Sequence, residues 1–108
     1  MKTKSLLKSE RFISTRLCGD PSLEKAKGYW VQDCSAAIEN ILLQATEEGL
    51  GAVWCGVYPR EERMEAVREL LQIPKNILPL ALIPFGYPTK KQEQNKRFNP
   101  DRIHENKW

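Results

Sequence analysis

Residues 28–59 read GYWVQDCSAAIENILLQATEEGLGAVWCGVYP, and the order of signals inside this stretch decides the fold. From Trp30 to Glu48, apolar or small residues fall at positions 34, 37, 38, 41, 42 and 45. That spacing gathers side chains on one face at 3.6 residues per turn, so it predicts a packing helix. Gln32, Glu39, Gln44, Glu47 and Glu48 lie off the stripe, while Leu43 widens it on one side. Gly49 stands where a left-handed C-cap belongs, and Ser35, Ala36 and Ala37 are small enough for another helix to approach. After the turn Gly49–Leu50–Gly51, residues Ala52 to Val57 read as a buried strand. Gly56 within it predicts a bulge, or the close approach of another backbone or a ligand.

On the N-terminal side, residues 1–11 have no clear period and read as a basic leader. The run from Phe12 to Cys18 is rich in β-formers and predicts a short strand, and a turn cluster from Gly19 to Ser22 leads into a loop reaching Gly28. On the C-terminal side, Pro59 suits the first turn of a second helix. Met64, Val67, Leu70 and Leu71 form its apolar stripe, and Pro74 stops it. The run Ile77 to Phe85 predicts a strand whose Pro79 and Pro84 belong near its ends or on an unpaired side, because proline cannot donate to a ladder. Residues 89–101 are polar and aperiodic, and Arg102 to Trp108 suit a last strand or an extended arm. The order is therefore β-α-β-α-β, an α+β or α/β sandwich of few elements spanning 12–108 with an extended tail from residue 89.

The chain's 108 residues suit one modest core. No run of about 18 apolar residues offers a membrane span, and no signal-peptide core follows the basic start. Cys18, Cys34 and Cys55 are odd in number and widely spaced, and with His104 as the sole histidine they form neither a disulfide framework nor a zinc site. Free thiols of this kind fit a cytoplasmic protein. Net charge is +3, but the bases concentrate in the first 16 and last 20 residues while the body between is acidic. Solvated tails explain that pattern better than a nucleic-acid face, which interleaves bases with aromatics on one folded surface. Trp30, Trp54, Tyr87 and Trp108 read as core or dimer-interface aromatics.

Taken together, the string 28–59, the Leu-x-Ile-Pro of Leu71 to Pro74, and the Gly86–Tyr87–Pro88 closure followed by a basic segment and Trp108 resemble the FMN-dependent nitroreductases. The resemblance runs in the family's order over residues 17–108 and covers only its C-terminal part. The family's N-terminal segment, which grips the FMN phosphate, has no counterpart here. It implies a truncated nitroreductase-like α/β sandwich with a few strands on a long central helix. It also implies FMN-mediated electron transfer from NAD(P)H to a nitroaromatic, quinone or similar small acceptor, in a homodimer with helix 30–48 as its seam.

By the same resemblance, residues Val53, Trp54, Cys55 and Gly56 meet the flavin, with the Cys55 N–H facing N5 and the Gly56 N–H facing O4. Asn95, Lys96 and Arg97 correspond to the basic pair that reaches the phosphate. Fixed amide dipoles tune a ring that gains negative charge, and a side chain at Gly56 would block close approach. No catalytic side chain and no metal ligand is expected. The alternative is a non-catalytic chain that folds or dimerises without holding FMN.

Overall fold

The computed structural model describes residues 13–23, 28–90, 93 and 95–108. The expected leader and Phe12 lie outside them. Strand β1 (Ile13–Gly19) leads through a short 3-10 turn at Pro21–Leu23 to helix α1 (Tyr29–Glu47). Two short pieces follow, β2 (Gly51–Ala52) and β3 (Cys55–Gly56), then α2 (Glu61–Leu71) and β4 (Leu78–Gly86). β4 lies at the centre, antiparallel to β1 on one side and to β2 and β3 on the other. The α+β sandwich is thus as expected, with one element split.

Helix α1 ends as its sequence predicts. Gly49 takes φ 72°, the Leu50 N–H donates to the Ala45 carbonyl at 2.8 Å, and the Gly49 N–H donates to the Thr46 carbonyl at 3.1 Å. This is the paired bonding that closes a helix on a left-handed glycine. The apolar stripe faces the sheet of its own chain: Trp30 and Ile38 pack with Leu80, Ala81 and Ile83, and Cys34, Ile41 and Leu42 flank them. Leu43, which widens the stripe, is exposed on this chain. A second cluster, Val57, Met64 and Val67, joins α2 to Leu71, Ile73 and Leu82. Alternation along β4 puts Leu82 opposite in sense to Ala81 and Ile83, so the two helices serve opposite faces.

One expectation needs correcting. Pro59 precedes α2 rather than opening it; it follows a cis Tyr58–Pro59 bond, and the extended Arg60 is the cap residue. Of the strand or extended arm expected over 102–108, the structure has the arm, entered through a 3-10 turn at Pro100–Arg102. Of the four aromatics, Trp30 joins the core of this chain, while Trp54, Tyr87 and Trp108 are exposed on it.

The two prolines of β4 explain the irregularities of a central strand. Proline is tolerated inside a sheet only where the ladder is broken. Pro79 pairs with Cys18 beside the register shift between Leu17 and Cys18, which leaves Leu80 as the extra residue. Pro84 lies opposite the gap between β2 and β3. The register there is unbroken, from Gly51↔Gly86 and Ala52↔Phe85 to Cys55↔Leu82 and Gly56↔Ala81, so Val53 faces Pro84 and Trp54 faces Ile83. The Val53 N–H donates to the Pro84 carbonyl at 3.2 Å, but Pro84 has no N–H to return. One missing donor splits the predicted strand in two; the register holds through Gly56, and bulge-like bonding comes just after it, where the Val57 and Tyr58 N–H groups both donate to the Leu80 carbonyl at 3.0 and 3.1 Å.

Candidate functional site: an outward amide edge

The segment 51–56 is exposed throughout, against the buried strand its apolar residues predict. It is an edge strand, so only one of its two sides is bonded. In an antiparallel pair, alternate residues direct both backbone groups toward the partner strand and the intervening ones direct them away. Val53 donates to Pro84, and Val57 donates to the Leu80 carbonyl at 3.0 Å. Cys55 shares that parity and faces Leu82. Ala52, Trp54 and Gly56 therefore turn their backbone groups outward. The Gly56 carbonyl bears this out by accepting from Arg63 Nη1, across the open side, at 3.0 Å. Of the two amides expected to face a ring, Gly56 offers its N–H outward and Cys55 directs its own into the sheet.

Gly56 has no internal reason to be glycine. Its φ is not left-handed, and a Cβ built on it meets no atom within 4 Å. Gly19 is the opposite case: a Cβ there would lie 2.3 Å from Trp30 Cε3. Space is thus held open beside an outward N–H, on a surface flanked by the exposed Val53 and Trp54. That combination suits a flat ring with a carbonyl edge, so the residues present fit the isoalloxazine end of FMN.

Asn95, Lys96 and Arg97 lie on an extended, exposed segment. Among the described residues, no hydrogen bond or ion pair links them to residues 53–56. The two halves of the expected site are both at the surface. His104 is exposed and stacks on Trp108 with ring centroids 4.5 Å apart. Burial, with a smaller contribution from neighbouring Asp33, pushes the Cys34 thiol up from its ordinary range, and its Sγ lies 3.8 Å from the Cys18 carbonyl. A groove of about 230 Å³ is lined by Ile41, Gln44, Ala45, Glu48, Leu50 and Phe85. Gln44 Nε2 donates to Glu48 at 2.8 Å, so the groove's two polar side chains satisfy each other rather than converge on a ligand. No described helix is long and apolar enough to cross a membrane.

An antiparallel sheet with a long helix on one face, a short helix on the other and an open amide edge defines an α+β class that known proteins share. The Nitroreductase family pattern matches residues 21–87, and the chain belongs to that family. It is 57% identical over 96 residues to a protein of Archaeoglobus fulgidus, covering 85% of this chain and 55% of that one. It is 54% identical over 96 residues to one of Methanothermobacter thermautotrophicus, covering 89% and 50%. Both carry the name "Putative NADH dehydrogenase/NAD(P)H nitroreductase". A crystal structure of a protein with the same name from Bacteroides thetaiotaomicron superposes with a TM-score of 0.80 at 47% identity, over 88% of this chain and 55% of that one. The chain spans about half the length of the curated relatives it matches.

Proposed function

We propose that this chain serves an FMN-dependent NAD(P)H oxidoreductase acting on a nitroaromatic, quinone or similar small acceptor. The names of its relatives support the reductant. The observation that carries the reading is Gly56, a glycine with an outward amide and empty space where a Cβ would stand. When bound, FMN supplies the two-electron chemistry; the protein binds, orients and tunes it. The Gly56 N–H would donate to the carbonyl edge of the ring, a fixed dipole aimed where negative charge gathers. Val53, Trp54 and Cys55 would border the ring, and Asn95, Lys96 and Arg97 would hold the phosphate, Arg97 as a fork and Lys96 as a point charge. A cytoplasmic homodimer completes this reading. The apolar groove beside α1 and the exposed Phe98, Ile103 and Trp108 of the arm are the apolar surface this reading assigns to a second copy.

The test is titration of the purified chain with FMN, following flavin fluorescence, for the wild type and for Gly56→Ala. Saturable binding that the alanine weakens at least about tenfold, with the melting temperature unchanged, supports the reading. A wild type that ignores excess FMN refutes it for this chain. The second reading, a chain that folds but does not hold FMN, then stands.

A further inference from the structure

We propose that Arg63 is a positioning residue for the Gly56 edge, fixing the Gly56–Val57 peptide so that the neighbouring Gly56 N–H stays turned outward. What that edge meets rests on the FMN reading above; the contact itself does not. The peptide is held from both ends. Its carbonyl accepts from Arg63 Nη1 at 3.0 Å, and its N–H donates to the Leu80 carbonyl at 3.0 Å. One bond ties it to a helix and the other to the central strand, so it cannot rotate without losing one of them.

The helix end of this clamp is itself fixed. Arg63 lies in the first turn of α2, where its N–H donates to the Arg60 carbonyl at 3.0 Å. The next residue, Met64, is buried with Val57 and Val67, which locks the register of α2 against the strand. The nearby carboxylate Glu65 is engaged elsewhere, 3.3 Å from Arg68 Nη1. Among the described residues Arg63 has no carboxylate partner, so its charge at the Gly56 carbonyl is not offset by an ion pair. A guanidinium suits this position because its planar fork can bond a carbonyl and keep further donors free. Positive charge there also favours a ligand whose carbonyl edge becomes more negative on reduction.

The test compares Arg63→Gln and Arg63→Lys with the wild-type chain. Without FMN, amide hydrogen exchange measured by NMR should rise about fivefold at Val57 in Arg63→Gln while Ile83, in the core, stays unchanged. Arg63→Lys should recover part of that protection. Unchanged exchange at Val57, or an equal rise at Val57 and Ile83, would overturn the proposal. With FMN, Arg63→Gln should weaken reduced FMN about tenfold and oxidised FMN about threefold, read from fluorescence titration and the midpoint potential. Arg63→Lys should restore the ratio. An unchanged ratio in Arg63→Gln would also count against the proposal. If the wild type binds no FMN, the FMN reading fails, and the exchange data alone decide whether Arg63 positions the edge.

Discussion

Replacing Gly19 by alanine inserts a methyl group into the ring of Trp30. A Cβ built on Gly19 would lie 2.3 Å from Cε3, 2.9 Å from Cδ2 and 3.0 Å from Cζ3. Carbon atoms rest at roughly 3.5–4.0 Å, so the indole must retreat by about 1 Å or the end of β1 must bend. Neither has room. Trp30 is 8% exposed and meets Tyr58 edge to face with centroids 4.9 Å apart. Overpacking a filled core costs about 1–3 kcal/mol, and disturbing an aromatic pair adds about 0.5–1.5 kcal/mol. The expected loss is about 2–3 kcal/mol, a large fraction of the roughly 5–15 kcal/mol that holds a domain together. It should appear as a lower urea midpoint, followed by tryptophan fluorescence and by circular dichroism, with an unchanged slope. In a Trp30→Leu background the same substitution should cost less than about 0.5 kcal/mol, since the clash has gone. A loss below about 0.5 kcal/mol in the wild-type background, or one undiminished in the Trp30→Leu background, would refute the reasoning.

Other changes separate the parts of the fold. Pro84→Ala adds the missing donor opposite Val53; the new amide should be protected from exchange, with stability moving by less than about 1 kcal/mol because the gained bond is offset by a freer unfolded chain. Exchange of that new amide at the solvent rate would sink the account. Ile38→Ala, at a site 0% exposed, should cost about 2–5 kcal/mol in urea unfolding, whereas Leu43→Ala, at a site 61% exposed, should stay within about 0.5 kcal/mol. The raised Cys34 thiol stays protonated to higher pH, so iodoacetamide should label it at a rate that climbs only above its ordinary value of 9.0. The fold favours the neutral thiol, so its contribution to stability is present below the unfolded value and lost as pH rises through the folded one. Cys34→Ser should remove that alkaline loss, and rapid labelling of Cys34 at pH 8 would contradict it.

Sequence periodicity made α1 legible because a stripe repeated over five turns has one structural solution. The same holds for Gly49, whose left-handed cap needs only local chemistry. The run from Ala52 to Val57 misled for a physical reason: composition measures how apolar a segment is, and burial depends on what lies beside it. Among the described residues nothing covers Val53 and Trp54 fully. Its division into β2 and β3 was also invisible locally, because the cause is Pro84, placed opposite Val53 only by the register. The candidate site was suggested by the resemblance alone. Which amide turns outward follows from ladder parity, and Arg63 had no signal at all: an arginine in a charged helix turn acquires its role only once α2 packs beside the edge.

Glycine shows where reading a sequence stops and geometry takes over. Gly19 and Gly56 both end or interrupt apolar runs, one before a turn cluster and one inside a strand, but neither setting says what fills the space where a side chain would stand. Neither has a left-handed φ, so conformational freedom explains neither. Gly19 is small because Trp30 fills the space inside, whereas the space beside Gly56 is open on the outside. Alanine at the two positions should therefore give crossed results. Gly19→Ala should lower the urea midpoint by the amount argued above, and its folded fraction should bind FMN with near-normal affinity, because the edge is untouched. Gly56→Ala should leave the midpoint within about 0.5 kcal/mol and lose affinity for the flavin. Two alanines that both destabilise would mean that Gly56 is held by packing, and the outward edge would no longer need a ligand to explain its glycine.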